Sequence, residues 1–162
     1  MASRLPSFGA RGEGWVVAQV ILLSAIGGLG SLDLIKDGSI DPWGAIAGGV
    51  GLVAIAGGSL VAARGAWDLR ASLSPFPRPV AGAPLIQSGA YRLIRHPIYS
   101  GLVLGALGWG LVTGSILAIG TTGLLFLLFA GKSRREEIWL SAVHPEYRAY
   151  QERTKRLIPW IF

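Results

Sequence analysis

The chain has 162 residues, 51% of them hydrophobic and 15% charged, where an ordinary soluble domain carries about a quarter charged residues, and its charges cluster between long uncharged runs. This is the pattern of one compact integral membrane bundle. With no cysteine, disulfides, thiolate catalysis and cysteine metal sites are excluded; the net charge of +6 is that of membrane-flanking loops beside anionic lipid, and no basic patch stands apart from them to bind nucleic acid.

Residues 1–13 form a polar lead with Arg4, Arg11 and Glu13. From Trp15 to Leu34 the chain is uncharged until Asp33, which is long enough to span a bilayer. The run is longer than the apolar core of a signal peptide and no small-residue cleavage site follows it, so it reads as a retained span. Asp33, Lys36, Asp37, Gly38 and Asp41 make a short loop; Pro42 opens the next helix and Trp43 marks its membrane interface. The second span covers about 43–63, and the Gly44 to Gly48 spacing predicts close helix packing. Residues 64–95 then combine five arginines with Asp68 and four prolines, and Ser74-Pro75-Phe76-Pro77-Arg78-Pro79 excludes a regular helix. The segment reads as a long, extended, basic loop held in order by Phe76, Val80, Leu85 and Ile86. From Ile98 to Gly131 there is no charge, and the glycines around Trp109 and Gly114 divide this run into two short helices, about 97–112 and 115–131, joined by a tight turn. The charged tail from Lys132 continues the last helix and closes on Pro159-Trp160-Ile161-Phe162.

Loop charge sets the expected orientation. The loop at 33–41 carries three aspartates and one lysine, whereas the loop at 64–95 and the tail are rich in arginine. Both termini and the long loop are therefore expected on the cytoplasmic face. The expected architecture is all-α, a single domain over 1–162 with four transmembrane helices, the third and fourth a short hairpin, and a cytoplasmic C-terminal helical segment.

Two segments carry the chemistry. Gly89 to Gly101 holds Tyr91, Arg95, His96 and Tyr99; the tail holds Lys132, Arg134, Arg135, Glu136, Glu137, Tyr147 and Arg153. The hairpin of spans three and four returns the chain to the same membrane face, which brings His96 near Glu136. Plainer readings stand beside this one: Arg95 as an anchor in the headgroups, His96 as a cap on the following helix, and Glu136 and Glu137 as partners for neighbouring arginines. His96 with two carboxylates lacks the spacing of a metal site, and there is no phosphate loop, dinucleotide fingerprint or nucleophile elbow.

The combination Gly89-x-Tyr91-x-x-x-Arg95-His96-Pro97-x-Tyr99-x-Gly101, followed by Glu136-Glu137 and Tyr147-x-x-Tyr150-x-x-Arg153, resembles the isoprenylcysteine carboxyl methyltransferase family and its phospholipid methyltransferase relatives. The resemblance covers about residues 74–160. It implies a methyltransferase of the bacterial inner or plasma membrane that uses S-adenosylmethionine on a lipophilic acceptor, with cofactor-binding elements at 74–101 and 132–160. Cofactor contacts are implied at Ala83, Pro84, Leu85, Ile86, Tyr91, His96, Pro97, Ile98, Tyr99 and Glu136. Phe76 or a neighbour stands where family members place a polar cofactor contact. Lys132 falls where the family's basic residue faces the acceptor's carboxylate, with Arg134 or Arg135 as substitutes.

On that resemblance, catalysis is chiefly alignment of donor and acceptor. Glu136 would hold the cofactor's amino group, the tyrosines would contact the sulfonium by cation–π attraction, and Leu85 and Ile86 would sandwich adenine. A carboxylate acceptor needs a cation such as Lys132 or Arg153 to orient it. An amine acceptor, as in a phospholipid or small-lipid N-methyltransferase, needs proton removal by His96 or Glu137. Outside enzymes, the alternative is an inactive membrane scaffold or transporter-like protein. The implied partners are a lipophilic or lipidated acceptor and membrane lipids, with neither metal nor nucleic acid.

Overall fold

The computed structural model describes residues 9–36 and 42–162. The expectations for Arg4, Asp37, Gly38 and Asp41, and for the side chain of Trp43, lie outside what it describes. Among the described residues five α-helices follow in chain order: α1 (Glu13–Lys36), α2 (Pro42–Leu69), α3 (Pro97–Val112), α4 (Ile116–Val143) and α5 (Tyr147–Arg153). Single 3-10 turns occupy Arg70–Ser72 and Gly89–Arg92. There is no strand among the described residues, only an isolated parallel bridge between Ile94 and Lys155.

Helices α1, α2 and α4 are long and apolar enough to cross a membrane, and α3 is a shorter apolar helix of 16 residues. The protein is hydrophobic on its outside. Leu52, Val53 and Leu60 on α2 are each more than 60% exposed, the arrangement expected of helices solvated by lipid rather than water. The interior is small: Ile26 of α1, Ala106 of α3, and Ala118, Leu125 and Phe129 of α4.

Helix α2 runs antiparallel to α3 along a seam of small residues. Gly51 abuts the Gly108 carbonyl, Gly58 abuts Gly101 and Gly105, and Gly65 abuts Pro97. The three α2 glycines recur every seven residues, so two turns of helix return each to the same face. The close packing expected at Gly48 is made by these glycines instead, and Gly48 has open space around it. The reason is phase: Gly48 lies three residues before Gly51, rotated off the seam.

One boundary differs from the sequence expectation, and one extension is as expected. Helix α2 continues past residue 63 to Leu69, because no proline intervenes before Pro75 and Arg64 pairs with Asp68 across one turn at 3.0 Å. Helix α4 carries its charged turn, Lys132 to Glu137, within 28 continuous helical residues. The α3–α4 turn forms as expected: Gly114 takes a positive φ of 64°, which glycine adopts without strain, and Ser115 caps α4 by accepting from Ala118 N at 3.2 Å. The Ser115 hydroxyl also donates to Asp33 at 2.6 Å, tying the end of α1 to this turn. Ser115→Ala should cost about 1–2 kcal/mol for the lost cap and its second bond, read as a lower unfolding temperature in detergent.

Between α2 and α3 the chain forms a strap, residues 73–96, that doubles back over the bundle end. Asp68 fixes its return by accepting from Ala90 N at 2.8 Å. Gly89, at φ 61°, lets the backbone come in against that carboxylate. The outward limb is held by the start of α1: Arg11 lies 4.4 Å over the Phe76 ring, and Arg78 donates to the Ala10 carbonyl at 3.3 Å. The tail crosses the same end. Arg95 N donates to the Lys155 carbonyl at 2.8 Å and His96 N to the Arg156 carbonyl at 3.1 Å. Strap, tail and the start of α1 are therefore gathered at one end of the bundle.

Candidate functional site

A cavity of about 370 Å³ opens where these three segments meet. Its walls come from Gln19 of α1, the end of α2, the strap from Leu73 to Ile86, Tyr91, Arg95 and His96, the start of α3, one face of α4 with His144 just after it, and α5. The α4 face is a helical stripe: Lys132, Glu136 and Leu140 are four residues apart and look into the cavity together. Of the residues singled out from sequence, Ala83, Pro84, Leu85, Ile86, Tyr91, His96, Ile98, Tyr99, Lys132 and Glu136 all line it.

The polar floor is organised around Glu136. Tyr99 donates its hydroxyl to Glu136 Oε2 at 2.9 Å, and His96 Nδ1 lies 3.7 Å from the same oxygen. His96, Tyr99 and Phe129 form a stack, with ring centroids 5.4 and 4.6 Å apart and nearly parallel planes. The spacing of His96 and Tyr99, three residues apart at the start of α3, places both rings on the side facing α4. His96 makes no side-chain cap to α3; its ring is held between the two glutamates, with Nε2 3.4 Å from Glu137 Oε1.

Glu137 has a different surrounding. It is rotated about 100° from Glu136 around the helix and is buried against the tail. Arg95 Nε contacts Oε1 at 2.8 Å, Arg156 donates at 2.7 and 3.1 Å, and Gln151 donates at 3.2 Å. Arg95 further donates to the carbonyls of Gln151 and Thr154. The anchor reading of Arg95 is thereby corrected: its side chain is 9% exposed, and it faces a buried carboxylate rather than headgroups. A guanidinium offers five donors in a fixed fork, which is why one arginine can join α4 to two turns of the tail.

The remaining expected residues lie off the cavity. Arg153 is exposed and donates to Gln87 at 3.0 Å, joining α5 to the strap. Arg135 stacks 4.8 Å over Trp139. Pro97 is fully buried against Gly65 and opens α3. Among the described residues no group of three His, Asp or Glu side chains is arranged to hold a metal ion.

Three tyrosines frame the outer wall. Tyr150 donates to the Tyr91 carbonyl at 2.6 Å and meets Tyr147 edge-on at 5.8 Å. Burial raises the Tyr91 and Tyr147 phenols far above the usual range and pushes Tyr150 up to about 12. All three are neutral donors at physiological pH. The Tyr147 hydroxyl, in a residue only 1% exposed, has no hydrogen-bond partner among the described residues. A buried unpaired donor is costly and rare, and this one borders the cavity. Gln19 and His144 are not among the residues the sequence singles out, whereas Tyr147 is. For Gln19 the signal was faint, a single amide in an apolar run.

Residues 46–146, which include the strap, Glu136 and most of the cavity wall, match the phospholipid methyltransferase family. This chain belongs to that family. Among its relatives, the cobalt-zinc-cadmium resistance protein CzcN of Cupriavidus metallidurans is 37% identical over 76 residues, 46% of this chain and 35% of that protein. The nickel-cobalt-cadmium resistance protein NccN of Alcaligenes xylosoxydans xylosoxydans is 34% identical over 46% of this chain and 36% of its own length. Methanethiol S-methyltransferase 1 of Bradyrhizobium diazoefficiens is 30% identical over 43% of this chain and 24% of its own length. The chain thus spans roughly a third or less of the length of each of these curated relatives. No solved structure matches it. A membrane methyltransferase family agrees with the resemblance in the Arg-His-Pro-x-Tyr-x-Gly motif.

Proposed function

We propose that this phospholipid methyltransferase family member is an S-adenosylmethionine-dependent enzyme of the bacterial inner or plasma membrane. In this reading four helices span the bilayer, and the strap, both termini and the cavity face the cytoplasm. The observation that carries the proposal is the cavity: apolar strap residues, stacked rings and a carboxylate converge on about 370 Å³ within the family-matched segment, a volume within the usual range for small-molecule sites.

The residues present fit the cofactor's chemistry. Leu85 and Ile86 offer apolar faces to adenine, Glu136 an acceptor for the amino group, and the unpartnered Tyr147 hydroxyl a donor. The Tyr99 ring offers a π face to a sulfonium. When bound, S-adenosylmethionine supplies an electrophilic methyl group. The protein's own work is to align the two partners and to exclude water from between them. Lys132, at the cavity wall, orients a carboxylate acceptor, and a carboxylate needs no proton removed. An ammonium at this place repels a cationic amine, which favours carboxyl O-methylation over N-methylation. The clamp on Glu137 supports a positioning role for that residue rather than proton transfer, and Arg153 acts through Gln87 on the strap.

Calorimetry with S-adenosylhomocysteine in detergent should show binding to the wild-type chain. Glu136→Ala and His96→Ala should weaken it by about 10- to 100-fold, the worth of one charged hydrogen bond. A folded wild-type chain with no binding would sink the proposal. Labelled methyl donor and membrane lipids separate the acceptor classes: base-labile label marks an ester, and base-stable label on nitrogen marks N-methylation. A labelled thioether would mark a thiol, the acceptor class in the name of the Bradyrhizobium relative.

A further inference from the structure

One polar side chain of the cavity comes from the chain before the family-matched segment. Gln19 lies on α1, and its neighbour across the helix contact is Lys132 of α4. Two features of sequence bring them together. Gly131 has no side chain, so the Trp15 ring packs directly on α4; a Cβ at Gly131 would come within 3.0 Å of Trp15 Cη2. One turn along α1 from Trp15 is Gln19, and the next residue along α4 is Lys132.

The contact is a hydrogen bond from Lys132 Nζ to Gln19 Oε1 at 2.6 Å. Lysine has only donors, so the glutamine must present its carbonyl to it. That leaves the amide N–H₂ with two further donors, and no acceptor among the described residues takes them. The lysine itself is 1% exposed and lies 5.0 Å over the Tyr99 ring and 5.9 Å over Phe129. No carboxylate among the described residues comes within ion-pair distance of it. A buried ammonium whose near partners are a neutral amide and two π faces is under-compensated. The pair therefore forms a cluster of donors, one of them charged, on the wall of the cavity; the carboxylate on the same wall, Glu136 one turn along α4, accepts from Tyr99 and forms no ion pair with the lysine.

We infer that Gln19 is a specificity-determining residue that, together with Lys132, forms the seat for the anionic end of the methyl acceptor at the α1–α4 seam. This deepens the methyltransferase reading and rests on it for the word acceptor. The carboxylate occupies the donors of both side chains, and the lipophilic remainder lies along the apolar flank of α1. Lys132 lies within residues 46–146 and Gln19 outside them, so half of the seat comes from the family-matched segment and half from the first helix.

The test uses the full chain in detergent and three six-carbon probes that stay monomeric: hexanoate, hexanol and hexylamine. Ligand-observed saturation-transfer NMR on the wild-type chain should show binding in the order hexanoate, hexanol, hexylamine. Gln19→Leu should weaken hexanoate by about tenfold, one charge-assisted hydrogen bond. Gln19→Glu should reverse the order, since the new carboxylate closes an ion pair with Lys132 and repels a second anion. Both variants should keep S-adenosylhomocysteine affinity within about twofold of wild type, because the mutation leaves Glu136 and the strap untouched. A wild-type chain with no preference among the probes overturns the inference, as does a Gln19→Glu variant that still prefers hexanoate. Hexanoate preference without S-adenosylhomocysteine binding would remove the cofactor reading and leave the seat standing, so the two failures are distinguishable.

Discussion

Glu137→Ala should destabilise the protein by about 3–5 kcal/mol, the usual cost of removing one partner from a buried ion pair. The carboxylate is 5% exposed and faces two guanidinium groups, Arg95 at 2.8 Å and Arg156 at 2.7 Å. Its removal leaves Arg95, itself only 9% exposed, without a counter-charge in the protein interior. Three segments also lose their common tie: the residues before α3, the middle of α4, and the tail from Gln151 to Arg156. Glu137→Gln keeps the shape and one acceptor oxygen, so it should cost about half as much. Thermal unfolding in detergent reads both effects. S-adenosylhomocysteine affinity should fall with stability in the alanine variant, because His96 and Tyr150 border the loosened tail. An alanine variant within about 1 kcal/mol of wild type would mean that Glu137 does not hold the tail.

Gly58→Leu should cost about 3 kcal/mol or more, at or above the upper end for overpacking. A side chain at Gly58 meets the Gly101 carbonyl and the Gly105 backbone, neither of which can rotate away. Helices α2 and α3 would have to separate along the whole seam, carrying Pro97 off Gly65 and displacing His96 and Tyr99 from α4. Gly57→Leu is the matched control. The neighbouring glycine has nothing within 4 Å of where a Cβ would stand, so leucine there should change stability by no more than about 0.5 kcal/mol, or raise it slightly through better helix propensity. Purified yield and unfolding temperature distinguish the pair. Equal losses in both variants would show that helix propensity or lipid contact, not the seam, sets the cost.

The helices were legible because each apolar run is bounded by charge, proline or a Gly–Ser turn, and α3 begins and ends where its residues predict. What periodicity could not give was phase. Gly48 and Gly51 are both small, yet only one faces α3. Glu136 and Glu137 are adjacent in sequence, and the resemblance puts both in the site, one on the cofactor's amino group and one as a base for an amine acceptor. A helix turns about 100° per residue, so one carboxylate faces the cavity and the other the tail. The cavity's apolar loop was found through the motif resemblance. Gln19 was not, because an isolated amide in a span carries no pattern, and its meaning depends on which residue of a distant helix it meets.

The clamp on Glu137 has a consequence for the order of events during synthesis. The wall built by Tyr147 and Tyr150, and the Arg156 clamp behind it, come after every apolar helix they close against. A nascent chain paused after α4 would carry the whole bundle with a half-open groove, and with Glu137 facing only Arg95 and His96. The enclosure is completed last, when residues 147–157 dock. Assembly of the helices and closure of the cavity are thus separate stages.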